Sequence, residues 1–157
     1  HADETVLQVL KEKDRKAADE SRMWVYASSK RAERQIRLFR YEDSRAGACA
    51  EAMLKGFTGT LIADGYSGYN LVGSVTRAGC WAHMRRKWFE AMPKGATVQN
   101  SKAAIGYEYC NHLFEVERQL EQFSDSKRRE QRLLLSKPIV DEYYTWLETL
   151  YNPTGKL

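Results

Sequence analysis

Two aspartates, Asp3 and Asp64, stand at the ends of segments that have the composition of buried strands. Asp3 precedes the run TVLQVL, and Asp64 closes the apolar start of the stretch LIADGYSGYN. A carboxylate at the end of a buried strand must be paired, protonated or bound to a cation, because desolvating it alone costs too much. The alternative is an ordinary turn, since the Asp-Gly dipeptide is a common loop signal.

The order of the predicted strands would allow these two carboxylates to meet. In an α/β sheet the first and fourth strands can lie side by side, and adjacent like charges repel unless a cation lies between them. Mg²⁺ suits such a site and supports phosphodiester chemistry, because hard cations prefer carboxylate and phosphate oxygens. Glu4 has the opposite strand parity to Asp3 and is predicted to point away. Judged from spacing alone, a turn aspartate and a surface aspartate are the commoner explanation.

A second group of candidate ligands surrounds the stretch GCWAHMRRKWF. Cys80 and His83 form a Cys-x-x-His pair, and Cys110 and His112 could complete four ligands for Zn²⁺. Because Cys-x-His is not a usual spacing for structural zinc, a buried Cys80 with a hydrogen-bonded His83 is favoured over a zinc site.

Arg85, Arg86 and Lys87 form the clearest basic cluster of the sequence. On an exposed helix near Asp64 they could hold phosphates, and such contacts position DNA without reading its sequence. Taken alone, the cluster is better explained as a solvated helix face. The tryptophans fit packing better than base stacking; they are Trp24, Trp81, Trp88 and Trp146.

The hydrophobic pattern predicts strands in the first half of the chain and helices in the second. Strands are expected at 5–10, 23–27 and 34–41, the last with a helix as the alternative. A helix at 46–57, a strand at 60–63 and an apolar segment at 74–80 follow. Helices are then expected at 81–92, 101–123 and 126–151, and Pro138 should bend or break the last one.

The composition is that of a soluble globular protein, with 43% hydrophobic and 29% charged residues in a chain of 157. The net charge of +4 permits nucleic acid as a partner without requiring it. Three widely spaced cysteines favour reduced thiols over disulfides. No apolar run approaches the roughly 20 residues of a membrane span and no signal peptide opens the sequence, so a cytoplasmic protein without a membrane partner is expected.

Four stretches of the sequence resemble, in order, the central part of transposases of the insertion sequence sixty-six (IS66-type) family, bacterial enzymes with a DDE catalytic core. They are HADET, LIADGYSGYN, TRAGCWAHMRRKWFEA, and SKPIVDEYYTWLE leading to NPTGKL. The resemblance implies an α/β, ribonuclease-H-like fold whose mixed sheet brings two aspartates together. It also implies that Asp3 and Asp64 are the first two catalytic acids and bind Mg²⁺ or Mn²⁺, in an enzyme that cuts and joins DNA ends during transposition.

The resemblance extends to candidate DNA contacts and partners. Arg45 matches a family arginine before the first helix, and His83 belongs to a Cys-x-x-His pair that recurs downstream of the second aspartate in several transposase families. With Arg85, Arg86 and Lys87 they are the candidate DNA-binding residues. The implied partners are transposon ends and target DNA, and the full-length protein is expected to be a homo-oligomer.

The third acid of the family, a glutamate in an Asn-Asn-x-x-Glu-Arg context, has no counterpart in this sequence. Later acids lack matching surroundings: Glu90, Glu108, Glu115 and Glu117. We therefore expect the first part of a ribonuclease-H-like core over residues 1–92 and a helical insertion over 93–157, in a fragment that is inactive alone. The alternative is a non-catalytic module for DNA or protein interaction, in which Asp3 and Asp64 are surface and turn residues.

Overall fold

An antiparallel sheet opens the chain. The computed structural model describes residues 1–151, and NPTGKL, at 152–157, lies outside the described residues. Strands β1 (Ala2–Gln8), β2 (Glu20–Ala27) and β3 (Arg37–Glu42) pair in that order, with Asp3 opposite Val25. The prediction of a strand rather than a helix at 34–41 is therefore confirmed.

A second, parallel pair of strands follows the first helix. Helix α1 (Gly47–Met53) leads to β4 (Gly59–Ala63), a turn of 3-10 helix (Ser67–Leu71) and β5 (Val75–Gly79), which pairs with β4. The helix and the 3-10 turn approach closely, because a Cβ atom on Gly47 would lie 2.5 Å from the carbonyl oxygen of Gly68. The α/β class expected from the sequence is confirmed by this mixture of antiparallel and parallel strands with helices.

One hydrophobic core joins the two sheets. Trp24 and Tyr26 alternate with less buried neighbours along β2, as expected for a strand with one face in the core. The edge of the Trp24 ring system meets Tyr69 at a centroid distance of 5.9 Å. The buried members of the core are Ala2, Trp24, Tyr26, Ala50, Leu61, Ala63, Tyr69 and Val72.

The remainder of the described chain is helical. It comprises α2 (Trp81–Glu90), α3 (Lys102–Gln119), α4 (Asp125–Gln131) and α5 (Lys137–Leu150). Ser101 and Ser124 cap α3 and α4 by accepting hydrogen bonds from backbone amides of the first turn, which explains where these two helices begin. Within residues 1–151, none of the helices combines the length and apolar character required to traverse a membrane.

A turn of π-helix, Arg132–Ser136, separates α4 from α5. Pro138 follows directly in the first turn of α5. Proline has no backbone N–H and its ring collides with the carbonyl group four residues earlier, so the regular α-helical bonding cannot continue through this point. The predicted interruption at Pro138 is confirmed, and it takes the form of a wider helical turn.

The chain divides into two compact units, and the division falls after Cys80. Helix α2 belongs to the second unit because it packs along α3. The predicted division into a catalytic core over 1–92 and a helical insertion over 93–157 stays a prediction. The two compact units divide earlier, between Cys80 and Trp81.

Candidate active site

Asp3 and Asp64 lie on neighbouring segments of the first unit and outside its core. Residues of β1 and β4 have Cα atoms within 8 Å of each other, although the described residues form no hydrogen-bonded ladder between these strands. Ala2 of β1 and Ala63 of β4 are buried in the same core. Because successive strand side chains point to opposite faces, Asp3 faces away from that core, and it is exposed. Asp64 directly follows Ala63 and is half-buried.

A backbone amide holds each of the two carboxylates. The amide of Glu4 donates to Oδ1 of Asp3 at 3.0 Å, and the amide of Tyr66 donates to Oδ1 of Asp64 at 2.9 Å. The turn after β4 is therefore closed by the aspartate side chain, as in an Asx turn. Gly65 is not among the residues with positive φ, and a Cβ atom there would meet nothing within 4 Å. The glycine of the Asp-Gly pair is thus not required by sterics.

Glu4 lies on the opposite side of β1 from Asp3, and its buried carboxylate pairs with the partly exposed Arg45. The Glu4 side chain is only 3% exposed, in agreement with the parity prediction. Arg45 donates from Nε to Oε1 of Glu4 at 2.7 Å, its Nη2 lies 2.6 Å from the same oxygen, and the Tyr69 hydroxyl donates to Oε2 at 3.0 Å. The hydrogen bond that Arg45 donates to Glu4 raises the pKa of Arg45, and burial raises the pKa of Tyr69 well above its usual range. Both partners stay protonated at neutral pH.

Arg45 also contacts the turn that follows Asp64. Its guanidinium lies 4.1 Å from the ring centroid of Tyr66, and the Tyr66 hydroxyl donates to the Arg45 carbonyl oxygen at 2.5 Å. The rings of Tyr66 and Tyr69 meet edge to face at 5.9 Å. Arg45, predicted as a DNA contact, is thus engaged by its own unit, although 46% of its side chain is exposed.

The basic cluster on α2 is divided between the interior and the surface of the second unit. Arg85 donates from Nε to Oδ1 of Asn111 at 2.6 Å, bonds the Tyr107 hydroxyl and lies 4.4 Å above the Tyr107 ring. In contrast, Arg86 is exposed, and Lys87 is 78% exposed and lies 3.1 Å from Glu90. Of the three predicted phosphate contacts, Arg86 and Lys87 face solvent, and Arg85 joins α2 to α3.

The residues considered for zinc are placed differently from one another. Cys110 is buried in α3, where burial raises the pKa of its thiol to about 11, whereas His112 is exposed and lies 3.3 Å from Glu108. Cys80 and His83 are half-buried and belong to different compact units. Within residues 1–151, no group of three or more His, Cys, Asp or Glu residues is arranged to hold a metal ion.

The later acids have local side-chain partners in the second unit. Glu117 accepts hydrogen bonds from Arg128 and Arg132, which hold its pKa below the usual value, Arg132 contributing most. The other three acids pair with a residue of their own helix: Glu90 with Lys87, Glu108 with His112 and Glu115 with Arg118. These contacts give the four acids structural partners.

The family model described as Transposase IS66 family matches residues 1–156. This chain belongs to the IS66 transposase family. This match confirms the family resemblance of the four sequence stretches. Asp3 and Asp64 of this IS66 chain lie in the first two of those stretches, HADET and LIADGYSGYN.

Two relatives of the IS66 chain come from Sinorhizobium fredii (strain NBRC 101917 / NGR234). Uncharacterized protein y4qI is 29% identical over 170 residues, covering 99% of this chain and 31% of the relative. Uncharacterized protein y4hP is 26% identical over 167 residues, covering 94% of this chain and 30% of the relative. The chain therefore spans just under a third of the length of these curated relatives. No solved structure matches the chain.

The pairing of Glu4 with Arg45 in this IS66 chain was not predicted from the sequence. The two residues are separated by 41 positions, and the interaction depends on how β1 meets the segment before α1. One signal was available, because the parity of Glu4 directs its side chain toward the core. A glutamate directed into a core requires a cationic or hydrogen-bonding partner, and Arg45 supplies both.

Proposed function

We propose that this chain supplies the first two catalytic acids, Asp3 and Asp64, of a DDE transposase with a ribonuclease-H-like core. The observation that carries the proposal is the placement of the two aspartates on neighbouring segments, both outside a core shared by Ala2 and Ala63. The sheet β1–β2–β3, helix α1 and the following β4 also agree with the mixed α/β architecture that the family resemblance implies.

The two carboxylates have the right chemistry for a divalent cation. Asp3 is exposed and Asp64 is half-buried, so both can reach a hydrated ion, whereas Glu4 is committed to Arg45. Mg²⁺ and Mn²⁺ take carboxylate oxygens together with water and phosphate oxygens, so two protein carboxylates suffice for a partial site. A cation bound there would stabilise charge on a phosphodiester and favour attack by an oxygen nucleophile.

Backbone groups of this chain orient the side chains of the two acids. The amide of Glu4 donates to one carboxylate oxygen of Asp3, and the amide of Tyr66 donates to one carboxylate oxygen of Asp64, so a nearby backbone group orients each acid. Strand transfer in this scheme requires the third acid, which we place outside residues 1–157. The full-length protein would act in the cytoplasm, as a homo-oligomer, on transposon ends and target DNA.

The exposed basic residues of α2 are proposed to contact the DNA backbone. Arg86 and Lys87 present their charges to solvent, and phosphate contacts of this kind add affinity without sequence preference. His83 and Arg45 stay weaker candidates. Replacing both Arg86 and Lys87 with Ala should lower the affinity for duplex DNA several-fold and reduce its salt dependence. Replacing Arg129, an exposed arginine on α4, is the matched control, to be compared by fluorescence anisotropy.

The experiment that tests the catalytic site is a Mn²⁺ titration followed by the electron paramagnetic resonance signal of free Mn²⁺. We expect binding that is lost in both Asp3→Ala and Asp64→Ala and retained in Glu51→Ala, which removes an exposed carboxylate on α1. Binding that survives both aspartate changes would contradict the proposal. If a full-length transposase carrying the same two aspartates also bound no Mn²⁺, the non-catalytic interaction module would be the better account.

A further inference from the structure

Arg45 contacts both Glu4 and Tyr66, the two residues whose backbone amides donate hydrogen bonds to Asp3 and Asp64. The amide of Glu4 donates to the Asp3 carboxylate, and the carboxylate of Glu4 accepts a hydrogen bond from Arg45. The amide of Tyr66 donates to Asp64, and its hydroxyl donates to the Arg45 carbonyl oxygen. The Arg45 guanidinium lies over the face of the Tyr66 ring. One arginine therefore connects the strand that carries Asp3 with the turn that follows Asp64.

The connection is made by several contacts of short length. Two nitrogens of Arg45 lie 2.7 and 2.6 Å from the same oxygen of Glu4, and the Tyr69 hydroxyl fixes the second oxygen at 3.0 Å. Tyr69 is completely buried, and it also meets the Tyr66 ring. These contacts form a ring of four residues, in which each residue touches the next: Glu4, Arg45, Tyr66 and Tyr69, which bonds Glu4 again.

We propose that Arg45 is a positioning residue, which fixes Asp3 and Asp64 relative to each other through Glu4 and Tyr66. This inference rests on the proposed function of the two aspartates as a shared cation site. Because β1 and β4 form no hydrogen-bonded ladder within the described residues, side-chain contacts set their relative position, both in the shared core and in polar links such as this one. The link from Arg45 supplies one at the place where the two acids lie.

Burial distinguishes this ion pair from an ordinary surface pair. Exposed pairs contribute little, because water screens them and long side chains lose freedom. Glu4 is 3% exposed, and a carboxylate in such a place is stable only when it is paired and hydrogen-bonded. Loss of Arg45 would leave the Glu4 carboxylate without its cation, so Glu4 would move toward water, and this movement would disturb the amide that holds Asp3.

Positioning and simple electrostatics predict opposite changes in cation affinity. Arg45→Ala removes a positive charge from the region, so electrostatics alone would make Mn²⁺ bind more tightly. A positioning role makes Mn²⁺ bind more weakly, by roughly 10- to 100-fold, as is usual when groups that orient metal ligands are removed. The sign of the change in affinity therefore separates the two accounts.

The test compares Mn²⁺ affinity and hydrogen exchange in four variants of the whole chain. Arg45→Ala removes the link, Arg45→Lys keeps its charge, and Tyr66→Phe removes only the hydroxyl that bonds the Arg45 carbonyl. Arg15→Ala is the matched control, since Arg15 also joins two segments, by donating to the carbonyl oxygens of Asp43 and Glu20 at 2.7 and 3.1 Å. Exchange of the Tyr66 amide is measured relative to the slowest amides of β2, which corrects for global stability.

We expect weaker Mn²⁺ binding and faster relative exchange at Tyr66 in Arg45→Ala, partial recovery in Arg45→Lys and neither effect in Arg15→Ala. Unchanged or tighter binding with unchanged relative exchange would overturn the proposal, even if the melting temperature fell. If Arg45→Ala fails to fold, Tyr66→Phe decides by the same two measurements. If neither the unaltered chain nor the full-length transposase binds Mn²⁺, the proposed function has failed, and exchange at Tyr66 still decides whether Arg45 holds the turn.

Discussion

The two compact units are stabilised by different kinds of interior. The first unit buries the Glu4 carboxylate with Arg45 and Tyr69 beside a small apolar core. The second unit packs aromatic rings, and its described ion pairs lie at the surface, apart from the pair that Glu117 makes with Arg128, whose side chain is 13% exposed. A buried carboxylate gains little net stability from its cationic partner, but losing that partner is costly, so Glu4 is tied to Arg45. The difference teaches that the first unit maintains a defined polar arrangement next to the two aspartates, whereas the second maintains a packed scaffold.

Tyr143 is the centre of the aromatic scaffold in the second unit. Its buried ring lies 5.5 Å from Trp81 and 5.6 Å from Tyr109, and its hydroxyl accepts a hydrogen bond from Trp88 at 3.1 Å. These contacts confirm that Trp81 and Trp88 serve packing, as the sequence predicted. Such rings bury large apolar areas and find their polar partner inside the same unit.

Two buried tyrosines of the first unit give the largest test of the contrast. The Tyr69 hydroxyl donates to Glu4, whereas the Tyr26 hydroxyl is buried with no hydrogen-bond partner among the described residues. Tyr69→Phe should cost about 1.5–3 kcal/mol, because a charged acceptor loses its donor. Tyr26→Phe should be neutral or stabilising, since it removes an unsatisfied polar group. The free energy of unfolding of both variants is measured in urea. Equal losses of stability would show that the hydrogen bond from Tyr69 to Glu4 adds nothing to the fold.

A close glycine contact tests the packing of the second unit. A Cβ atom on Gly106 of α3 would lie 2.4 Å from the Trp88 ring, which is itself held against Trp146 at 5.7 Å. Gly106→Ala should therefore destabilise the chain by about 1–3 kcal/mol, although alanine favours helix.

Gly65→Ala is the control for this packing test, because a Cβ atom at Gly65 meets nothing within 4 Å and its φ is not positive. We expect a change within about 0.5 kcal/mol at that position. Both variants are compared by thermal unfolding. A neutral or stabilising Gly106→Ala would show that the contact between α2 and α3 can yield without loss.

The ion pairs of Glu117 in the second unit predict a smaller effect that depends on pH. Arg132 and Arg128 lower the pKa of Glu117 below its ordinary value of 4.5. A carboxyl group whose pKa is lower in the folded state stabilises the fold above about pH 4.5 and loses this contribution as pH falls through the folded pKa. The contribution should be at most about 1 kcal/mol, because solvent screens a side chain that is 36% exposed.

Glu117→Gln should therefore reduce stability more at pH 7 than at pH 3, because the contribution of the wild-type carboxylate decreases as the pH falls. Glu148→Gln, at an exposed position of α5, is the control and should not alter the pH profile. Denaturant midpoints measured at both pH values provide the comparison. An equal loss for Glu117→Gln at pH 3 and pH 7 would assign the effect to packing rather than charge.

Local patterns predicted the strands and helices better than the interactions of the site. The strand β3 and the interruption at Pro138 follow from residue types within a few positions, which is why the sequence could predict them. The pairing of Glu4 with Arg45 and the inward position of Arg85 depend on residues 41 and 26 positions away. No local pattern determines such pairs. The assignment of Asp3 and Asp64 likewise required the family resemblance, since spacing alone favoured ordinary turn and surface residues.

The most direct test of the central claim is a crystal of this chain soaked in Mn²⁺ and measured at a wavelength where manganese scatters anomalously. The account predicts an anomalous peak within coordination distance, roughly 2.0–2.3 Å, of carboxylate oxygens from both Asp3 and Asp64. A well-occupied peak on one aspartate alone, or a peak on other carboxylates with none at this pair, would contradict the claim that the two acids form one site.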